Sequence, residues 1–293
     1  MKITNRTGLP PPLVAMLTKE YYSKGDSEYS ATGLIEPPRI KLLRERYKDQ
    51  IESDVVDMMW SFLGTALHAR LEELDLEALG LTSYIKEERL FAEVNGIRIS
   101  GAIDLQEKAP VGIIISDYKY TSAYSVIYGK EEWVAQLNIY KWFVEKVKGE
   151  RVVALRICAF LRDHSKHDAR GNYPAEPIVE IDLPVWSFEK ADAYVKERLN
   201  LHLEAAMADA TGGALPPCTD AERWMTEEVF AVKREGRKTA IKLYNSMEEA
   251  TARAVEEKGY VETRKGTPRR CEGNYCKVAQ WCDQYQSEKR EEL

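Results

Sequence analysis

The sequence predicts an α/β chain, and three observations lead there. Two alternating runs, KEERLFAEV and IRISGAIDL, meet at Asn95-Gly96, the dipeptide that best suits the left-handed geometry of a two-residue hairpin turn. A further strand-like run, GIIISDYKY, follows at 112–120. Segments of helical period flank this block on both sides, over 54–78 and 131–147. The order is helix, strand, strand, strand, helix.

Composition sets the limits. A chain of 293 residues with 44% hydrophobic and 31% charged side chains makes one large domain or two small ones. Forty-two Lys and Arg against 48 Asp and Glu leave a charge of -6, which excludes a global basic field that would hold nucleic acid or an anionic membrane. Any polyanion must be met by local patches. No apolar run approaches the roughly 20 residues of a membrane helix. A cytoplasmic, reducing location is expected, where clustered cysteines bind metal more often than they form disulfides.

Taken in order, residues 1–36 read as a loosely structured N-terminal arm. Pro37-Pro38 then opens a helix, IKLLRERY, in the position where proline is tolerated. Over 54–78, Val55, Val56, Met59, Phe62, Leu63, Ala66, Leu67, Leu71 and Leu74 recur at helical steps and predict one buried stripe, with His68 beside it. The helix over 131–147 begins with Glu131 and Glu132, acids at its positive end. RVVALRICAFL and PIVEIDL read as two more strands around the polar loop RDHSKHDARGNY, and 187–209 as a long helix. His164 and His167 in that loop, with Asp163 and Asp168, lack a third ligand at fixed spacing and read as an ordinary turn. The breaker-rich stretch 211–217 divides a core, 37–210, from a C-terminal subdomain, 211–293. That subdomain begins with a basic hairpin, FAVKREGRKTAIKLY, turning at Glu235-Gly236. A helix follows, opened by a capping box of Ser246 and Glu249.

The chemistry concentrates on the strand 112–120. A side-chain period of two puts Asp117 and Lys119 on one face, with Ile113 and Ile115 behind them. Asp104 ends the preceding strand and falls beside Asp117 if the two strands are neighbours. Two close carboxylates repel, and a hard divalent cation, magnesium or manganese, is the usual resolution. A lysine beside such an ion suits the stabilisation of charge on a phosphate undergoing attack, the chemistry of phosphodiester hydrolysis.

His68 in GTALH, Asp104 in GAID, Asp117 and Lys119 in DYK, and Gln136 to Tyr140 in QLNIY occur in the order of a known set of motifs. Together they resemble the PD-(D/E)XK nuclease superfamily in its RecB-like branch, which includes CRISPR-associated iron-sulfur exonucleases; a phage origin also suits them. The resemblance covers about residues 30–285. It implies a restriction-endonuclease-like core, a mixed central sheet flanked by helices. It also implies metal ligation by His68, Asp104 and Asp117, catalysis by Lys119, and support of the site by Gln136 and Tyr140. The family's proline before the first acid is Ile103 here, and its second acid is Asp. The imidazole leans the metal slightly toward manganese.

Cys271, Cys276 and Cys282 follow a C-x4-C-x5-C spacing, wider than the knuckles of most zinc sites. The same branch often carries a [4Fe-4S] cluster with three ligands near the C-terminus. Its fourth cysteine usually precedes a Pro-Arg pair, and here that place reads Glu36-Pro37-Pro38-Arg39. Cys218 is the substitute, and the resemblance therefore implies an iron-sulfur subdomain with ligands Cys218, Cys271, Cys276 and Cys282; zinc is the alternative. Cys158, within a strand, reads as a small buried residue.

Lys233, Arg234, Arg237 and Lys238 in the hairpin, with Arg269 and Arg270 before the first clustered cysteine, are the candidate DNA contacts. Trp224, Tyr260 and Tyr275 are candidate stacking partners for unpaired bases. The expected function is metal-dependent DNA hydrolysis, as an exonuclease on single-stranded or frayed ends in recombination, repair or phage replication. Recombination or replication proteins are its expected partners. The alternative is a non-catalytic DNA-binding or assembly module that retains the nuclease fold.

Overall fold

The structure, a computed structural model, describes residues 1–19 and 25–291. The chain divides into two compact units, Met1–Glu36 with Glu52–Glu204, and Pro37–Ile51 with Ala205–Leu293. The helix α3 (Pro38–Arg46), placed by its sequence at the head of the core, thus counts with the second unit.

In the first unit, β1 (Lys2–Thr4) and α1 (Pro11–Thr18) are followed by β2 (Tyr29–Ser30) and α2 (Ala31–Ile35). The reading of 1–36 as a loose arm is corrected at its second half: β2 joins the main sheet, and Ala31 and Leu34 lie in the core. The carbonyls at the end of α2 are also tied down. Arg198 donates to Leu34 O, Ile35 O and Glu36 O, and His202 bonds Leu34 O, which satisfies acceptors a helix end leaves open. Short elements held by distant partners leave little local signal.

The helix expected over 54–78 is shorter. β3 (Glu52–Asp54) pairs in parallel with β1, Asp54 caps a 3-10 turn over Val55–Met58, and α4 spans Met59–Glu72. No residue of α4 is fully buried, so the predicted stripe is a half-covered one, and Leu74 lies beyond the helix and exposed.

The central strands follow the sequence closely. β4 (Tyr84–Val94) and β5 (Ile97–Ala109) form the hairpin, with Asn95 and Gly96 both at positive φ, 52° and 79°. β6 (Gly112–Thr121) returns antiparallel to β5. A crossover through α5 (Ala123–Tyr128) and α6 (Glu131–Phe143), the latter prolonged by a wide π turn over Val144–Lys148, leads to β7 (Val152–Leu161), parallel to β6. β8 (Ile178–Leu183) pairs antiparallel with β7, and α7 (Phe188–Ala210) follows. Among the described residues the sheet has six strands, with β4 on one edge of β5, and β2 and β6 sharing the other. Its core is built on Ile99, Ile103, Ile115, Leu137, Trp142 and Leu155. Gly101 has a packing reason: a Cβ there would lie 2.9 Å from Phe143 and 3.2 Å from Tyr140, so glycine lets α6 approach β5.

The second unit adds α8 (Asp220–Arg223) and a small sheet in which β9 (Val229–Lys233) lies between β10 (Lys242–Tyr244) and β11 (Tyr260–Arg264). The hairpin expectation holds for β9 and β10; β11 is a third strand the sequence did not announce. α9 (Met247–Glu256) packs Ala250 and Ala254 against Val232. Its cap is half the expected box, since Ser246 accepts from Glu249 N but no return bond forms, whereas Thr219 and Glu222 close a complete box at α8. α10 (Arg269–Glu272) and α11 (Asp283–Glu291) complete the unit. Among the described residues no helix is long and apolar enough to cross a membrane.

Candidate active site

The site of the first unit lies where the ladder between β5 and β6 parts. Pairing on that edge of β5 runs from Leu105 with Ser116 to Ala109 with Gly112, while β2 pairs only with Ile99 and Ser100. Residues 101–104 therefore lie between two ladders. Asp104 stands one residue before the first paired position and Asp117 one residue after its partner, so the two acids face the opening. The Asp104 side chain ties the two strands there, accepting from Tyr118 N at 2.8 Å.

The two helices complete it. His68 of α4 places Nδ1 3.6 Å from Asp104 Oδ1 and 3.2 Å from Glu87 Oε1. Gln136 of α6 binds both motif residues of β6, donating to Asp117 Oδ1 at 3.0 Å and accepting from Lys119 Nζ at 3.1 Å. Tyr140, one helical turn on, holds the Gln136 amide through its hydroxyl at 2.9 Å. Lys119 Nζ also lies 2.6 Å from Asp117 Oδ2, an ion pair with no aligned hydrogen bond. His68, Asp104, Asp117, Lys119, Gln136 and Tyr140 are thus brought together as the motif order led one to expect.

The electrostatics match a site built for a cation. Asp104 and Asp117 are 5% and 1% exposed, and carboxylates so buried are costly unless neutralised. Burial, and next the charge of Asp117, push Asp104 well above the usual carboxylate range; His68 and Lys119 only partly offset this. His68 is raised by its hydrogen bond to Glu87 and by the charges of Asp104, Glu87 and Asp117. Both groups therefore favour holding a proton when no cation is bound.

Sequence reasoning missed Glu87. Among the described residues, the group whose ligand atoms all lie within 4.8 Å of one another is His68, Glu87 and Asp104. Glu87 falls between the pairs Lys86 with Leu105 and Glu88 with Ile103, which puts it opposite Asp104. Its φ of 48° is left-handed, an unfavourable conformation for a glutamate inside a strand, and it carries the carboxylate to His68. The signal was available in the register: a two-residue turn at Asn95-Gly96 that pairs Val94 with Ile97 carries Glu87 to Asp104 by counting back.

In the second unit, all four nominated cysteines line one recess, together with Arg39 and Val278. No three of their sulfurs form a group within 4.8 Å. Arg39, at the place where the family's early cysteine is usual, turns its guanidinium to Cys282 Sγ at 4.0 Å and donates to Pro216 O at 3.0 Å. Gln284 clasps the Cys218 backbone at both N and O, 2.8 and 3.0 Å. Burial, with Glu222 and Cys282, pushes the Cys218 thiol up to about 12. Burial also raises Cys271 and Cys276. Cys158 is a buried strand residue whose thiol burial raises to about 11. His164 bonds Pro174 O and packs on Tyr173, within a turn.

The basic candidates are unequal. Lys233 pairs with Glu262 at 2.8 Å and Arg234 pairs with Glu257. Arg270 donates to Glu222 O at 3.0 Å and lies over Trp224. Arg237, Lys238 and Arg269 are exposed and have no carboxylate partner among the described residues. Trp224 and Tyr275 pack on each other at 5.2 Å, and Tyr260 is exposed.

Comparison with curated proteins finds no match. Among solved structures, the chain is similar to SSO0001, with a TM-score of 0.41 and 18% identity over 64% of this chain and 82% of that one. It is also similar to a protein from Eubacterium rectale whose name assigns it provisionally to the exonucleases, with a TM-score of 0.29 and 14% identity over 69% and 73% of the two chains. The model of the PD-(D/E)XK nuclease superfamily matches residues 17–283, a span that contains every residue of the site, and the chain belongs to that superfamily.

Proposed function

We propose that the protein hydrolyses DNA phosphodiester bonds at the parting of β5 and β6, with Mg²⁺ or Mn²⁺ held by His68, Asp104 and Asp117, and Glu87 as a further ligand. The observation that carries this is the convergence of two buried acids, a lysine and an imidazole at one break in the sheet ladder. The donor set fits a hard cation, and Asp117 Oδ2 is a buried oxygen without an aligned hydrogen bond. The bound ion would lower the cost of forming a hydroxide nucleophile and offset charge on the phosphate. Lys119 donates toward the attacking water and the phosphate oxygens, held by Gln136. Tyr140 keeps the Gln136 amide oriented so that its oxygen faces Lys119 and its nitrogen faces Asp117. Asp104 and His68 give up their protons to take the cation.

Exonuclease action on single-stranded or frayed ends, in a cytoplasmic recombination, repair or phage replication setting, is the finer reading. The test is cleavage of end-labelled linear DNA beside a circular single strand, with Mn²⁺, by wild type and Asp117→Asn. Degradation from ends that spares the circle and is lost in Asp117→Asn supports it. Nicking of the circle assigns endonuclease action, and cleavage by Asp117→Asn places the chemistry elsewhere.

Cys218, Cys271, Cys276 and Cys282 are the ligands of a [4Fe-4S] cluster on the same reading. Four thiols on one partly apolar recess support this ligand set. Zinc at ~2.3 Å from each sulfur needs sulfurs about 3.8 Å apart, and no three of these sulfurs form a group within 4.8 Å; a cuboidal cluster spans more. Anaerobic protein should show visible absorption with iron and acid-labile sulfide. Stoichiometric zinc with neither would assign the site to zinc.

A further inference from the structure

Near the end of β6, outside the cation site, the first unit carries a shelf of aromatic rings and of cations that no carboxylate pairs among the described residues. Trp60, in the first turn of α4, is 44% exposed. Its indole stacks on the ring of Tyr120, the residue after Lys119, with centroids 6.4 Å apart and planes at 30°. The Arg162 guanidinium lies 4.5 Å from the indole centroid, and its backbone N–H is fixed to Thr121 O at 2.9 Å. Lys130 is near enough for the charges of Arg162 and Lys119 to act on it. Two residues past Thr121, α5 presents Tyr124 and Tyr128, stacked at 6.3 Å and 61% and 80% exposed.

None of these rings belongs to the hydrophobic core, so packing does not account for them. Among the described residues neither Arg162 nor Lys130 pairs with a carboxylate, although this acidic chain pairs many of its other cations, including Lys148, Arg156 and Lys233. Exposed rings with cations beside them complement an unpaired polynucleotide strand: bases stack on the rings and phosphates meet the cations. A stacked duplex has no free base faces to offer such a shelf.

We propose that Trp60, Tyr120 and Arg162 form the platform that receives an unpaired DNA strand and leads it to the acid site from the face of β6 opposite Lys119. The proposal rests on the nuclease reading of the neighbouring site, and it assigns strand binding to the first unit instead of the basic hairpin. Trp60 and Arg162 are positioning residues.

Steady-state cleavage of an end-labelled single-stranded oligodeoxynucleotide and of a blunt duplex, with Mn²⁺ and the full chain, tests it. Trp60→Ala should raise KM for the single strand about tenfold, the factor that ~1.4 kcal/mol of lost stacking produces. kcat should stay within about twofold, and the duplex should be unaffected. Trp60→Phe should restore most of the loss. An unchanged single-strand KM in Trp60→Ala overturns the proposal, as does a kcat loss shared by both substrates, the mark of a merely structural role. If wild type cuts nothing, the nuclease reading fails by itself. Fluorescence anisotropy of the labelled oligonucleotide without divalent ion then still decides the platform, since Trp60→Ala must weaken binding. The same sequence as RNA, run in parallel, separates a preference for DNA from strand binding in general.

Discussion

The acid site of the first unit and the cysteine recess of the second are both assembled from residues far apart in sequence, yet they are prepared to different degrees. At the acid site the protein supplies its own partners: Tyr118 N on Asp104, Gln136 on Asp117 and Lys119, Glu87 on His68. Strand ladders and α6 set those distances before any cation arrives. At the recess, four thiols face one space, but no three sulfurs share a ligand-sized group. The elements that carry them are short: α10 is four residues long, and a three-residue 3-10 turn precedes Cys282. A preorganised site loses chemistry when a side chain is removed and keeps its fold. A site completed by its ligand loses the fold of its surroundings with it.

That contrast can be broken by experiment. The largest expected effect is at the recess: Cys276→Ser should abolish visible absorption and lower Tm by ten degrees or more, on the order expected when several kcal/mol of ligand-derived stability is lost. A variant with unchanged Tm and full absorption would remove Cys276 from the ligand set. Glu87→Gln should leave Tm nearly unchanged while weakening Mn²⁺ binding by roughly 10- to 100-fold, as loss of a ligand or of its immediate support does. Isothermal titration with unaltered Mn²⁺ affinity would demote Glu87 to a partner of His68.

A third prediction concerns protons. Asp104 and His68 are both raised in the cation-free fold, so each tends to carry a proton at a pH where it would otherwise lack one. Binding must displace those protons; apparent Mn²⁺ affinity should therefore rise with pH from 6 to 8, with proton release measurable in buffers of different ionisation enthalpy. A pH-independent affinity would contradict the charge balance drawn for the site. The smallest effect is at the basic hairpin. Arg237→Ala with Lys238→Ala should lower the salt dependence of DNA binding by at most about two counterions, whereas Lys233→Ala, already paired with Glu262, should change it little. Equal losses would mean that the Glu262 pairing does not silence Lys233.

Much of this was legible in the sequence for definite reasons. The Asn95-Gly96 turn fixes a register, the period of β6 fixes a face, and the four-residue step from Gln136 to Tyr140 fixes a helix edge, so the motif residues had to converge once the strands were neighbours. The unread features depend on tertiary partners. β2 is two residues long and exists through its pairing with β5. α3 opens as expected, but its company in the second unit is invisible to local periodicity. The acids that pair with two of the hairpin's cations, Glu257 with Arg234 and Glu262 with Lys233, come from α9's end and from β11, and no local pattern announces them. Glu87 was readable by counting back along the hairpin, and its left-handed φ was not.

If the break in the ladder between Asp104 and Asp117 is a metal-dependent nuclease centre, Lys119 acts there on the reacting phosphate. Single-turnover cleavage of end-labelled single-stranded DNA with Mn²⁺, by wild type and Lys119→Ala of matched Tm, tests it most directly. The variant should lose about 10²-fold or more in rate, the scale of removing one charged donor from a transition state, with Mn²⁺ still bound. Equal rates in the two proteins, or no cleavage by wild type with Mn²⁺ bound, would contradict it.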